Sequence, residues 1–205
     1  MTEDTPAPAP IHISVVLDRS GSMRSVADET VGGFNQFLAD QRSPDCDARL
    51  TLVQFDSEDA FEVLISGADL STVPDLDPAA YQPRAWTPLY DAVGQMIAAI
   101  DAGREERAGR GLPEEDEVVA IITDGLENRS HRFRRADIFR LIEERRRAGW
   151  VFVFLGADQD AYAEGGHLGV APRERVPWEK TPEGIKKMWG NLSYSTEMHR
   201  AKPRE

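Results

Sequence analysis

The sequence predicts an α/β protein with a doubly wound, mostly parallel sheet, helices on both faces and one antiparallel edge strand. Short apolar runs alternate along the chain with segments whose apolar residues recur at helical spacing. Three of these runs, residues 11–17, 117–123 and 150–155, are almost continuously apolar, as expected for central strands covered on both faces. Two other runs are separated only by the acidic turn DSED, which predicts an antiparallel hairpin.

The predicted elements follow one another in a regular order. The strands are residues 11–17, 50–55, 61–65, 117–123, 150–155 and a short 175–176. Between them lie helical patterns, among them an Arg-rich segment at 134–148, a segment at 160–168 and a closing helix at 181–200. Residues 103–116 are predicted to be a polar connector. Because most strands are joined through helices, they are expected to lie parallel, and only the second hairpin strand is expected to be antiparallel.

The chain is predicted to form one domain over residues 11–200. Its 205 residues are enough to bury a substantial core. Residues 1–10 are rich in proline and alanine and are predicted to be disordered, and residues 201–205 are predicted to be a short tail.

Composition narrows the classes of partner. The formal net charge is −12, which argues against general nucleic-acid binding because phosphate neutralisation needs an excess of cations. No signal-peptide pattern or membrane-spanning apolar run is visible, so a cytoplasmic protein without a membrane partner is expected. Cys46 is the single cysteine, which excludes an intrachain disulfide, and the four histidines show no zinc-ligand spacing.

Three polar loops fall at strand ends or helix starts. Asp18, Ser20 and Ser22 close the first strand, Thr87 precedes a helix, and Asp124 closes the strand at 117–123. In an open parallel sheet, ligands bind beyond the carboxyl ends of the strands, near the point where strand order reverses. Two carboxylates and three hydroxyls form an oxygen-only set, which suits Mg²⁺ or Mn²⁺.

Each loop by itself has an ordinary structural interpretation. The Asp18 segment could be an Asx turn, Asp124–Gly125 could be a plain turn, and Thr87 followed by Pro88 could be a helix N-cap. The combination of the three loops, in this order and on this strand pattern, is more specific than any one of them.

The segments LDRSGSM, TPLYDA and TDGLEN resemble those of von Willebrand factor A (VWA) domains, in particular small stand-alone bacterial and phage members. The resemblance covers nearly all of residues 11–200. It implies a six-stranded, Rossmann-like sheet and a metal-ion-dependent adhesion site (MIDAS) formed by Asp18, Ser20, Ser22, Thr87 and Asp124. It also implies that the serines bind the metal directly, the threonine binds it in the ligand-bound form, and the aspartates often act through water. The partner would be a protein that presents a Glu or Asp to the metal.

Residues near these loops could form the rim of a partner-binding surface. The candidates are Trp86, Glu127, Arg129, Arg132 and Asp158. Each also has another interpretation: packing for Trp86, pairing with a neighbouring arginine for Glu127, a solvated helix face for the arginines, and helix capping for Asp158.

The leading functional prediction is a metal-dependent protein-binding module and not an enzyme. The sequence shows no nucleophile with an orienting base in a known motif. Two alternatives remain: a Mg²⁺-dependent phosphatase or phosphotransferase with Asp18 as nucleophile, and RNA binding through the Arg-rich helix.

Overall fold

A computed structural model describes residues 10–42 and 47–200, and the predictions for residues 1–9, Cys46 and 201–205 lie outside these ranges. The sheet contains six strands: β1 (Ile11–Asp18), β2 (Ala48–Phe55), β3 (Glu62–Asp69), β4 (Asp116–Thr123), β5 (Val151–Ala157) and β6 (Arg175–Trp178). Their order across the sheet is β3-β2-β1-β4-β5-β6.

The strand directions confirm the predicted fold class. The pairs β1–β2, β1–β4, β4–β5 and β5–β6 are parallel, whereas the edge strand β3 pairs antiparallel with β2. Strand order reverses at β1, whose neighbours are β2 on one side and β4 on the other. The carboxyl ends of β1 and β4 therefore form the topological switch point, where α/β sheets bind ligands.

Within the described ranges, five α-helices cover the sheet: α1 (Ala27–Gln41), α2 (Leu89–Gly109), α3 (Arg135–Arg147), α4 (Asp158–His167) and α5 (Pro182–Arg200). Alternate residues of β1 belong to different cores. Ile13, Val15 and Leu17 pack with α1 and α5, whereas Val16 packs with α2 and α3. Both faces are thus covered, which explains the nearly continuous apolar sequence of the central strands.

Two boundaries differ from the predictions. The predicted connector at 103–116 is wrong in its first half, because α2 continues to Gly109. Arg104 and Arg107 in this last part of the helix pair with glutamates that precede or begin β4, so the polar side chains have tertiary partners. The hairpin strand predicted at 61–65 extends to Asp69. Among the described residues, no helix combines the length and apolarity needed to cross a membrane.

Candidate metal-binding site

The loop after β1 brings two hydroxyls together above a buried carboxylate. Ser20 Oγ lies 3.1 Å from Ser22 Oγ, and Ser22 Oγ donates a 2.7 Å hydrogen bond to Asp124 Oδ1 from the end of β4. Asp18 is fully buried, and its Oδ1 accepts a 2.7 Å hydrogen bond from the Ser20 amide. The Asx turn and the predicted oxygen cluster therefore coexist, because the turn aims the serine hydroxyls across the gap between β1 and β4.

Asp18 is held from below by groups that the sequence prediction did not include. Thr123 Oγ1 donates to Asp18 Oδ2 at 2.6 Å, and the hydroxyl of Tyr81 donates to the Asp18 carbonyl at 2.5 Å. The pKa of the Asp18 carboxyl is raised to about 7, chiefly by burial. The hydrogen bonds from Thr123 and Ser20 oppose this shift, and the nearby Asp124 charge adds to it. The folded protein without a cation thus disfavours a second negative charge here.

The segment that carries Thr87 is fixed by an ion-pair cluster beside the site. Arg19 follows Asp18 but points away from it, and its guanidinium contacts Asp56 Oδ2 at 2.6 Å. Arg84 binds the same oxygen at 3.0 Å, and its amide donates to the Arg19 carbonyl at 2.9 Å. Both Arg19 and Asp56 are buried, so this cluster ties the loop after β2 and the Thr87 segment to the end of β1.

Thr87 lies beside the Asp124 loop, and its side chain does not cap a helix. Helix α2 begins at Leu89, after Pro88, and its first amides donate to side chains of Glu127 and Ser130 instead. The Thr87 amide donates to Asn128 Oδ1 at 2.9 Å, and the Asn128 amide donates back to the Thr87 carbonyl at 3.1 Å. Thr87 Oγ1 lies 3.9 Å from where a Cβ on Gly125 would be, so the buried threonine meets the Asp124 loop.

This arrangement fits a hard divalent cation. The candidate ligand atoms are all oxygens, and Asp124 Oδ2 is buried and accepts no hydrogen bond of ordinary geometry among the described residues. The ammonium of Lys180 contacts that oxygen instead. Asp18, Ser20, Ser22, Thr87 and Asp124 could therefore hold Mg²⁺ or Mn²⁺, with Asp18 placed deepest.

The five rim candidates have different surroundings. Trp86 is 61% exposed beside Thr87, and Leu126, which the sequence prediction did not include, is 47% exposed beside Gly125. Glu127 does not face outwards, because its two oxygens accept hydrogen bonds from the amides of Tyr90, Arg129 and Ser130 and from the Ser130 hydroxyl.

The remaining rim candidates lie at the edges of this surface. Asp158 Oδ1 accepts hydrogen bonds from the Asp160 and Ala161 amides, so it caps the first turn of α4. Arg129 and Arg132 are exposed, and Arg132 donates to Gln95 Oε1 at 2.6 Å. The exposed pair Trp86 and Leu126 therefore flanks the oxygen cluster more closely in sequence than the arginines do.

A second group of potential metal ligands lies at the other end of the central strands, where β1 and β4 begin. His12, Glu115 and Glu117 are buried there, with ligand atoms within 4.8 Å of one another. His12 Nδ1 lies 3.0 Å from Glu117 Oε2, and its Nε2 lies 2.8 Å from Thr51 Oγ1. The spacing of the histidines did not predict this cluster, because its members come from β1, β4 and the residue before β4. Three arginines bind its carboxylates, Arg49 and Arg107 at Glu115 and Arg104 at Glu117.

The fold was compared with those of known proteins. No protein-family model and no curated protein matches the chain. The pilus adhesin SpaC from Lactobacillus rhamnosus GG is similar with a TM-score of 0.70 and 12% identity, over 93% of this chain and 30% of the adhesin. The SpRpn10 VWA domain gives a TM-score of 0.61 and 11% identity, over 89% of this chain and 95% of that domain.

A third similar structure is that of a metal-bound protein. It is proximal thread matrix protein 1 from the mussel byssus, with a zinc-occupied MIDAS motif, at a TM-score of 0.58 and 16% identity. The match covers 94% of this chain and 47% of the mussel protein, so the chain spans less than half of both the mussel protein and the adhesin. The strand order and these similarities together show that the chain has the von Willebrand factor A fold.

Proposed function

We propose that this chain is a metal-dependent protein-binding module that docks an acidic side chain of a partner protein onto a bound divalent cation. The observation that carries the proposal is the hydrogen-bonded cluster of Asp18, Ser20, Ser22 and Asp124 at the topological switch point. Thr87 lies against the loop that carries Asp124. Ser22 and Asp124 are 102 positions apart in the chain, yet the fold places them in hydrogen-bond contact.

The oxygen set leaves a role for an outside carboxylate. Two carboxylates only balance the charge of a divalent cation, and the three hydroxyls are neutral ligands. A bound Mg²⁺ or Mn²⁺ would attract a Glu or Asp to its open coordination position. The zinc-occupied site of the similar mussel protein supports cation binding in a fold of this kind. This attraction would exceed that of an exposed ion pair, because Asp18, Ser20 and Thr87 are buried.

The neighbouring surface would add apolar contacts. Trp86 and Leu126 are exposed at the two loops that meet over the oxygen cluster. Aromatic and large apolar side chains next to a charged anchor are typical of interface centres. The partner segment is therefore expected to place its acidic residue among apolar neighbours.

The phosphatase alternative fits the geometry poorly. A nucleophilic aspartate must reach the phosphorus atom of its substrate, but Asp18 has no exposed surface. Both Asp18 oxygens also accept hydrogen bonds, one from the Ser20 amide and one from the Thr123 hydroxyl. These contacts support a role for Asp18 in orienting the loop.

The RNA alternative depends on free arginines along α3. Arg145 instead pairs with Asp101 at 2.6 Å, Arg146 pairs with Glu143 at 2.8 Å, and Arg135 lies 3.3 Å from Glu164. These acidic partners reduce the positive potential that phosphate binding needs. The helix therefore fits a solvated, ion-paired surface better than an RNA interface.

The proposal is tested by capturing a partner on the immobilised protein in Mg²⁺ and then measuring the affinity of the purified pair. EDTA should abolish binding and Mg²⁺ should restore it, and Thr87→Ala should weaken binding about tenfold or more, since the threonine would bind the occupied metal. The matched control is Thr72→Ala, which removes an exposed threonine hydroxyl far from the site in sequence. The proposal would be contradicted if the partner bound as tightly in EDTA, and as tightly to the Thr87→Ala protein, as it binds to the wild type in Mg²⁺.

A further inference from the structure

One ammonium reaches the candidate metal site from a separate part of the chain. Lys180 lies between β6 and α5, and its Nζ contacts Asp124 Oδ2. The side chain of Asp124 is fully buried, whereas 34% of the Lys180 side chain remains exposed. The lysine therefore lies along the surface and places only its charged end against the buried carboxylate.

The turn that carries Lys180 is well defined. The Thr181 amide donates to the Glu179 carbonyl at 2.8 Å, and Thr181 Oγ1 accepts a 3.0 Å hydrogen bond from the Gly184 amide. A Cβ on Gly184 would lie 1.9 Å from the Glu179 carbonyl oxygen, so this close approach requires glycine. The turn and the start of α5 are thus held together, and Lys180 leaves the chain at a fixed point.

The two oxygens of Asp124 have different partners. Oδ1 accepts the hydrogen bond from Ser22, which belongs to the oxygen cluster, and Oδ2 contacts Lys180. The Lys180 ammonium thus supplies positive charge to a site that contains two buried carboxylates. A divalent cation at the same carboxylate would face the ammonium across a few ångströms, and like charges at such distances in a buried site repel strongly.

We infer that Lys180 is a built-in competitor for the divalent cation, which occupies Asp124 in the metal-free protein and is displaced when the metal binds. This inference rests on the proposed function, because it concerns the same site. The lysine would keep the buried carboxylates neutralised without metal, and it would set the cation concentration at which the partner-binding state forms. Displacement needs only rotation of a side chain that is already part-exposed.

The first test compares Mg²⁺ binding by calorimetry in the wild type and in Lys180→Met, which keeps the apolar stem and removes the charge. The variant should bind Mg²⁺ roughly tenfold more tightly. The matched control is Lys186→Met, which makes the same charge change at an exposed position of α5 and should leave the affinity unchanged.

The outcomes separate this inference from the proposed function. If only Lys180→Met binds Mg²⁺ tightly, the role of Lys180 as a competitor is supported. The proposal that the wild type is a metal-dependent module at millimolar Mg²⁺ is then overturned. Equal affinities in the two proteins overturn the competitor and leave the proposed function standing. Binding in neither protein overturns both.

A second test follows the lysine itself in the wild-type protein. Mg²⁺ should increase the rate at which a small amine-reactive ester acylates Lys180 by about threefold or more, measured by mass spectrometry of peptides. The nitrogen released from Asp124 can lose a proton to solvent and attack the ester carbonyl, and the alcohol of the ester leaves. Lys186 serves as the internal reference and should react at the same rate with and without Mg²⁺. A Lys180 rate that does not respond to saturating Mg²⁺ would overturn the displacement.

Discussion

The two edges of the sheet each bury a pair of carboxylates, but they neutralise them differently. At the amino edge, where the parallel strands begin, Glu115 and Glu117 face three arginines, and His12 also contacts Glu117. At the carboxyl edge, where the parallel strands end, Asp18 and Asp124 face hydroxyls and the single ammonium of Lys180. The first pair has more fixed cations than it needs, and the second has fewer.

This difference explains why a metal is expected at only one edge. Guanidinium groups are permanently charged and bind carboxylates through several donors, so a divalent cation would have to displace them. Hydroxyls are neutral and can turn their oxygens towards a cation. The close approach of His12, Glu115 and Glu117 is therefore better explained as a structural ion-pair cluster than as a metal site.

Trp150 and Trp86 differ in the same way, although Trp178 at the carboxyl end of β6 is buried. At the amino edge Trp150 is buried, with the guanidinium groups of Arg104 and Arg145 at 5.8 and 5.7 Å from its ring. At the carboxyl edge Trp86 is 61% exposed. One edge is thus closed by packing, and the other presents side chains to solvent.

The largest expected effect comes from breaking the amino edge. Glu115→Gln removes the carboxylate that Arg49 and Arg107 share, and it should lower the free energy of unfolding by about 3 kcal/mol, as for other buried pairs that lose one partner. Urea denaturation should give the same loss in Mg²⁺ and in EDTA. Glu114→Gln is the control, because that side chain is 74% exposed and its loss should cost less than about 0.5 kcal/mol. A loss for Glu115→Gln that depends on Mg²⁺ would indicate a metal at the amino edge.

The next effect is the stabilisation of the carboxyl edge by metal. Mg²⁺ at a hundredfold excess over its Kd should raise the free energy of unfolding by about 2.7 kcal/mol, and Asp124→Asn should abolish the gain. The protein in EDTA should still unfold cooperatively, because the cores on both faces of the sheet are independent of the loops. Loss of the fold on chelation at room temperature would instead show that the metal is structural.

The fold, and the approach of the loops after β1 and β4, were predictable because their signals are local. Apolar strands, the hairpin turn and the polar residues at strand ends all lie within short segments, and parallel strands place their carboxyl ends at one edge. The contact between Asp124 and Lys180 has no such signal, since nothing in the sequence around Lys180 distinguishes it from other exposed lysines. Arg19 was also unassigned, because its partner Asp56 comes from the loop after β2, far from Arg19 in the sequence.

The pH dependence of the metal-free protein would sharpen the contrast between the two edges. The pKa of Asp18 rises from 3.8 to about 7 on folding, chiefly through burial, so the folded state binds a proton that the unfolded state releases. In EDTA, stability should therefore fall by about 2 kcal/mol as the pH rises from about 5 to about 6.5, and change little through this group above pH 7.

The measurement is urea denaturation across that pH range, with Asp18→Asn as the comparison. The difference in stability between the two proteins isolates the Asp18 carboxyl, because every other titrating group is shared. The variant should lack this part of the fall in stability. If the stability of the wild type and of the variant changed with pH in the same way, the predicted rise in the Asp18 pKa on folding would be wrong.

The smallest expected effect on stability is at the rim of the carboxyl edge. Trp86→Ala removes a mostly exposed ring, and the free energy of unfolding should change by less than about 0.5 kcal/mol. The Mg²⁺ affinity should also stay the same, because the ring supplies no ligand to the cation. Partner affinity should nevertheless fall by about fivefold or more, since an exposed tryptophan beside a charged anchor has the character of an interface hot spot.

A matched control separates a docking surface from general loss of exposed aromatic area. Tyr194 on α5 is 64% exposed, close to the 61% of Trp86, and Tyr194→Ala should leave both stability and partner binding unchanged. If Trp86→Ala instead destabilised the fold by more than about 1 kcal/mol, the ring would have a packing role, and the two edges would differ less than their exposure indicates. If neither substitution affected partner binding, the contact with the partner would be confined to the metal, and specificity would have to come from side chains other than Trp86.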